Sequence, residues 1–186
     1  MPTRRKRRVD ISILEPLKGF TPNGFGGQGG LPPRAWLRKV ASRTLEYALP
    51  GHDCQLSLVI ADDDTLKCLN SEYRGMDEVT DVLSFSPFHR GHWEGEGEPP
   101  PSDDDVPFVL PPQEPQPLGE VIISYPQAMR QSGPGPLGPE RELALLVVHG
   151  VLHLLGFDHA EPSEETAMQA QEREILSTIF SEASEQ

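Results

Sequence analysis

Cysteine is scarce in this chain, and no long apolar run is present. Cys54 and Cys68 are its two cysteines; we expect reduced core residues of an intracellular protein rather than a disulfide. The longest apolar run, Leu143 to Val148, is far shorter than the roughly 20 residues that cross a bilayer. The basic start, Arg4 to Arg8, meets Asp10 almost at once, which does not fit a secretory signal. These absences predict a cytoplasmic protein without membrane contact.

Basic residues are also few. Sixteen lysines and arginines against 29 aspartates and glutamates give a net charge of −13, which would ordinarily argue against a nucleic-acid partner. The acidic excess is confined to residues 88–117 and 161–186, each of which holds seven acidic residues and one arginine. The rest of the chain is nearly neutral, so a locally basic cleft is compatible with the sequence.

The domain organisation follows from length and from one unusual segment. With 186 residues the chain suits one domain with its own core. Residues 88–117 combine eight prolines with an acidic tract, a composition that cannot bury enough apolar surface to fold. We predict a single domain over residues 1–186, with a disordered acidic, proline-rich insertion at 88–117.

Hydrophobic periodicity predicts four strands and four helices. The predicted strands are Val9–Leu14, Cys54–Ala61, Asp81–Phe85 and Gly119–Ser124. The predicted helices are Ala35–Leu49, Thr65–Tyr73, Glu140–Leu155 and Glu161–Phe180. This order indicates an α+β fold, a single domain with a small four-stranded mixed sheet packed against helices. On the last helix we expect the glutamates to lie in solvent.

Three of the six histidines lie in the stretch HGVLHLLGFDH. His149 and His153 are four residues apart, so in a helix both imidazoles leave one face. Gly156 can cap the helix in a left-handed conformation and turn the chain back, so that His159 approaches the same point. Three neutral imidazoles with an open fourth position are typical of catalytic zinc, which lowers the pKa of bound water to about 7. The stretch therefore predicts a three-histidine metal site at the end of the long helix, the alternative being ordinary histidines on an amphipathic helix.

The position after the first histidine separates this stretch from the peptidase motif HExxH, in which a glutamate is the general base. Here that position is Gly150. Glu120 or Glu142 would have to replace the missing base. Glu142 is seven residues before His149, about 10 Å along the helix, which is too far for it to be a ligand there. The sequence therefore favours a different class of chemistry.

Two further stretches accompany the histidines: LNSEYRGMDEVTDVLSFSP at 69–87 and LGEVIIS at 118–124. Together the three stretches resemble the YbeY family of single-domain, metal-dependent endoribonucleases, over most of residues 9–180. The resemblance implies one Zn²⁺ ion with His149, His153 and His159 as ligands, and Arg74 as a further functional residue. The chain departs from the family pattern in Ser86, which is inserted before Pro87, and in the insertion that follows.

The roles of several side chains near these motifs follow from their chemistry. The guanidinium of Arg74 can clamp a phosphate and offset charge in the transition state, although it can also be an ordinary arginine closing a helix. Thr80 and Asp81 lie at a strand edge, where Asp81 can cap, orient a histidine or end the turn. Asp158 can fix an imidazole tautomer or cap the next helix.

The resemblance implies a zinc-dependent, single-strand-specific endoribonuclease acting on the 3′ end of 16S ribosomal RNA and in ribosome quality control. Catalytic residues would be Arg74, His149, His153 and His159, and the partners ribosomal RNA and the small ribosomal subunit. One alternative is a zinc hydrolase of peptide or amide bonds. Another is a non-catalytic ribosome-assembly factor with a structural metal, which requires a fourth protein ligand. The basic N-terminus is either a phosphate-binding arm or a tail, and the insertion either competes with RNA or is tolerated.

Overall fold

The computed structural model describes residues 7–17, 30–88, 114–134, 137–158 and 161–181. The strands are β1 (Arg7–Ile13), β2 (Cys54–Ala61), β3 (Val82–Phe85) and β4 (Gln116–Ser124). The α-helices are α1 (Arg34–Ala48), α2 (Asp63–Arg74), α3 (Tyr125–Gln131), α4 (Gly138–Leu154) and α5 (Pro162–Ser181). The predicted α+β class is confirmed: a single domain with a four-stranded mixed sheet and helices packed on it.

The sheet has the strand order β1-β2-β4-β3. Strands β1, β2 and β4 run parallel, whereas β3 pairs antiparallel with β4 and lies at an edge. Val121 of β4 lies opposite Leu58 of β2 on one side and Ser84 of β3 on the other. The register of the short edge strand β3 is therefore set by its pairing with β4.

Alternation along the strands gives the sheet two different faces. On the first, the α4 face, Leu58 and Val121 join one large core cluster with side chains from α1, α4 and α5. On the second, the α2 face, a small cluster of five buried residues packs against α2. Its members are Val59, Ala61, Leu66, Leu83 and Ile122. Most of the buried apolar surface therefore lies on the α4 face.

Several elements differ from the sequence prediction. Helix α3 was not predicted, because seven residues are too few to show a periodicity; Ser124 caps it by accepting from Gln127 N at 3.1 Å. Strand β4 begins at Gln116, so the last two residues of the range 88–117 belong to the strand, while 89–113 lie outside the described residues. Cys54 is buried and Cys68 exposed, both as free thiols; the prediction that both are core residues was wrong for Cys68.

The basic N-terminus is partly folded. Arg7 and Arg8 open strand β1, where they pair with Cys54 and Gln55 of β2. Arg8 also forms an ion pair with Asp10 at 3.0 Å. These two arginines are therefore part of the sheet rather than of an arm, and residues 4–6 lie outside the described part of the chain.

Among the described residues no helix is both long enough and apolar enough to cross a membrane.

Candidate active site

Helix α4 touches the sheet through its own backbone at Gly150. A Cβ placed there would lie 2.5 Å from Val121 Cγ1 and 3.1 Å from Ser84 Oγ, closer than van der Waals contact allows. Ser84 Oγ also donates a hydrogen bond to the Gly150 carbonyl oxygen at 3.1 Å. The glutamate of an HExxH peptidase cannot occupy this position without displacing the sheet. The absence of that base follows from the packing of the helix.

The C-terminus of α4 is closed by a left-handed glycine. Gly156 has φ of 87°, its N–H donates to the His153 carbonyl at 3.0 Å, and Phe157 N–H donates to the Leu152 carbonyl at 3.1 Å. This pair of bonds is the Schellman arrangement, and it confirms the predicted cap at Gly156. The chain therefore turns away from the helix at Gly156, three residues after His153. His159 lies outside the described residues, so its approach to the other two histidines stays a prediction.

The two imidazoles on α4 face each other. His149 Nε2 and His153 Nε2 are 3.0 Å apart, and the ring centroids are 4.5 Å apart at an interplanar angle of 78°. Both side chains are half-buried. The i, i+4 spacing thus brings two ring nitrogens to one point beside the core.

A partner for His149 comes from α5. His149 Nδ1 lies 2.8 Å from Glu172 Oε1, and the Glu172 side chain is only 13% exposed. The prediction that the α5 glutamates all lie in solvent was wrong for this residue. Glu172 lies four residues after the buried Met168 and three before the buried Ile175. This helical spacing is the signal in the sequence that could have identified it.

The paired imidazoles fit a zinc ion as two of its ligands. Two nitrogens bound to one tetrahedral zinc at about 2.0–2.1 Å lie about 3.3 Å apart, close to the 3.0 Å between the two Nε2 atoms. Because a carboxylate only accepts hydrogen bonds, the contact with Glu172 assigns the proton of neutral His149 to Nδ1 and leaves a lone pair on Nε2. In the part of the chain that is described, no group of three His, Cys, Asp or Glu side chains could hold a metal. The three-histidine site therefore stays a prediction that requires His159.

Arg74 lies in a different part of the fold. It is the last residue of α2 and half-buried, and the left-handed Gly75 (φ 76°) follows it. Asn70 Nδ2 donates to the Glu78 carbonyl at 3.0 Å, which fixes the loop after the helix. Helices α2 and α4 pack on opposite faces of the sheet. The backbone of Arg74 therefore lies on one side of the sheet, and the backbone of His149 and His153 lies on the other.

The carboxylates considered as a base or orienting group are engaged elsewhere. Gln131 Nε2 donates to Asp81 Oδ2 and to Glu142 Oε1, both at 2.8 Å. Asp81 Oδ1 accepts from the Val82 N–H at 2.8 Å and from Thr80 Oγ1 at 3.4 Å, so Asp81 ends the turn before β3. Glu120 accepts from Ser57 Oγ at 2.7 Å. Asp158 is exposed, and its role in fixing an imidazole tautomer or capping the next helix stays a prediction.

An ion pair fastens the first turn of α2 to α3. Arg130 donates to both carboxylate oxygens of Asp63, at 2.8 and 3.0 Å, and Ser124 Oγ donates to Asp63 Oδ1 at 2.6 Å. The hydrogen bonds from Arg130 hold the pKa of Asp63 below its usual value, and the hydrogen bond from Ser124 lowers it further by a smaller amount. Burial acts in the opposite direction. This contact fixes the start of the helix that ends at Arg74.

The known proteins that this chain resembles are nucleases. A family model described as endoribonuclease YbeY matches residues 32–180. An endoribonuclease YbeY from Dehalococcoides mccartyi (strain CBDB1) is 44% identical over 179 residues, 92% of this chain and 97% of the relative. Another from Roseiflexus sp. (strain RS-1) is 35% identical over 175 residues, 94% of each. A solution structure from Thermotoga maritima aligns at 21% identity with a TM-score of 0.48, over 95% and 92% of the two chains.

The length and extent of these matches decide the family. The family model spans most of the chain, and the two relatives are matched almost from end to end. This chain belongs to the YbeY family of endoribonucleases.

Proposed function

We propose that this protein is a zinc-dependent endoribonuclease specific for single strands, acting on the 3′ end of 16S ribosomal RNA and in ribosome quality control. The observation that carries the proposal is the pair of Nε2 atoms of His149 and His153, 3.0 Å apart, in a chain of this family. His159 would be the third ligand. We further propose a cytoplasmic protein that acts at the small ribosomal subunit.

The residues present divide the chemistry between them. His149 and His153 would hold the ion, with His159 completing the set. When bound, zinc supplies a Lewis acid that lowers the pKa of a water molecule to about 7, so that a nucleophile is available near neutral pH. Hydrolysis would form a bond from a water oxygen to the phosphorus of the RNA and break the bond from phosphorus to the leaving oxygen, which would take up a proton from the water. Arg74 binds the phosphate oxygens and offsets their growing negative charge.

The peptide-hydrolase alternative is less well supported. It needs a carboxylate at the ion, whereas Gly150 is closed by Val121 and Glu142 accepts from Gln131. The structural-metal alternative needs a fourth ligand, whereas the motif supplies three histidines, His149, His153 and His159. We therefore retain the nuclease as the proposed function.

The test uses the full chain and a ribosomal RNA fragment that covers the 3′ end of the 16S molecule. We expect the zinc-loaded protein to cut the single-stranded fragment internally, to leave the same sequence intact as a duplex, and to lose activity after chelation. Restoring zinc to the chelated sample should restore cleavage. If the protein binds zinc and RNA but cuts nothing, the assembly-factor alternative replaces the proposal.

A further inference from the structure

We propose that Glu172 is a positioning residue of the zinc site, whose carboxylate fixes the orientation and tautomer of His149. The inference rests on the proposed function in one respect, that a metal binds at the histidine pair. It adds a residue outside the three motifs and makes α5 part of the site.

The contact is specific in its geometry. Glu172 Oε1 is 2.8 Å from His149 Nδ1, and both side chains are largely shielded, at 13% and 28% exposure. The other described glutamates of α5 are exposed to solvent. The carboxylate is therefore turned inward to one imidazole, away from the solvent that the other described glutamates of α5 face.

Rigid packing holds the carboxylate in place. Met168, Ile175 and Ile179 on the same side of α5 are buried in the core. Near the end of α5 the Arg141 guanidinium of α4 lies 5.5 Å from the centre of the Phe180 ring. Glu172 thus lies between two points at which α5 is anchored to the core and to α4, so its position relative to His149 is set by the fold.

The chemical consequence concerns the nitrogen opposite the contact. A carboxylate accepts and cannot donate, so a neutral His149 keeps its hydrogen on Nδ1 and presents the lone pair of Nε2 towards His153. The bond also prevents the ring from rotating, and the negative charge makes the imidazole a stronger donor to a cation. In the metal-free protein His153 Nε2–H then donates to His149 Nε2 at 3.0 Å, and an ion bound there would take the place of that hydrogen.

The experiment measures zinc affinity by chelator competition on the full chain, for the wild type, Glu172→Ala, Glu172→Gln and a control. The control is Glu165→Ala, which removes the same charge from an exposed position on α5. We expect Glu172→Ala to bind zinc roughly 10- to 100-fold more weakly, as for other partners of metal-bound histidines. Glu172→Gln should lie between, because its amide oxygen still accepts from Nδ1 without the charge. Glu165→Ala should match the wild type.

Two further readouts on the metal-free protein separate positioning from a merely structural role. Nitrogen NMR should show His149 as the Nδ1–H tautomer in the wild type and a mixture in Glu172→Ala, with Glu172→Gln between them because an amide can also donate to Nδ1. Thermal unfolding should be similar in Glu172→Gln and the wild type, so that this near-isosteric variant serves even if Glu172→Ala folds poorly.

The outcomes distinguish this inference from the proposed function. If the wild type binds zinc and cuts RNA but the Glu172 variants keep zinc affinity within about twofold, the positioning role is overturned and the nuclease stands. Lower thermal stability with unchanged zinc affinity and tautomer also overturns it. If the wild type binds no zinc, both the inference and zinc dependence are overturned.

Discussion

The two faces of the sheet differ in how tightly they hold their functional side chains. On the α4 face, α4 packs so closely against the sheet that a Cβ at Gly150 would overlap Val121. Helix α5 places Glu172 beside His149. On the α2 face, Leu66 of α2 packs with four buried residues of the sheet, and Arg74 is the last residue of that helix. The α4 face therefore buries a large cluster of side chains and the α2 face a small one.

This difference matches the different needs of the two proposed roles. A metal needs ligands within tenths of an ångström of fixed positions, which dense packing on the α4 face can maintain. An arginine that binds phosphate has a long side chain that adapts to its target. We infer that the densely packed α4 face suits the proposed metal site, and that the less densely packed α2 face suits the proposed phosphate-binding arginine.

The largest expected effect is at Gly150, where α4 contacts the sheet on the α4 face. Gly150→Glu should abolish folding, and Gly150→Ala should lower the free energy of unfolding by about 1–3 kcal/mol, because the new Cβ overlaps Val121. Urea denaturation measures both. Gly133→Ala is the matched control, since nothing lies within 4 Å of a Cβ there. A Gly150→Ala protein as stable as the control would mean that α4 lies further from the sheet.

Equal leucine truncations on the two faces compare their packing directly. Leu152 in the large cluster and Leu66 in the small one are both 0% exposed. We expect Leu152→Ala to cost about 3–5 kcal/mol and Leu66→Ala about 2–3 kcal/mol, because a thin layer can collapse around the cavity more easily. Chemical denaturation gives both values. A larger loss for Leu66→Ala would reverse the comparison.

The smallest expected effect lies at the start of α2. Arg130→Ala should cost less than about 1 kcal/mol at neutral pH, since the Arg130 side chain is 52% exposed and solvent screens the pair. Because the folded pKa of Asp63 is below its ordinary value of 3.8, the pair stabilises above that pH. The contribution is lost as the pH falls through the depressed folded pKa.

Unfolding measured from pH 3 to 7 tests that last prediction. The difference between the wild type and Arg130→Ala should shrink towards acid. With Asp63→Asn already present, Arg130→Ala should add no pH dependence. A difference that grows on acidification would contradict the assignment.

Sequence patterns predicted the main elements on both faces of the sheet better than the contacts between side chains. Strand β2 matched its predicted bounds, and Gly156 matched its predicted cap, because periodicity and glycine chemistry are local. Glu172 was missed because its neighbours on α5 are solvated charges, and only packing shows which glutamate turns inward. The role of Arg74 came from the family resemblance, since an arginine closing a helix has no distinctive local pattern.

The most direct test of the division between the faces measures zinc content and RNA affinity on the same samples of His153→Ala and Arg74→Ala. We expect His153→Ala to lose zinc while it still binds single-stranded RNA, and Arg74→Ala to keep zinc while it binds RNA more weakly; neither should cut. If Arg74→Ala loses zinc, or binds RNA as tightly as the wild type, the proposed separation of metal and substrate roles is wrong.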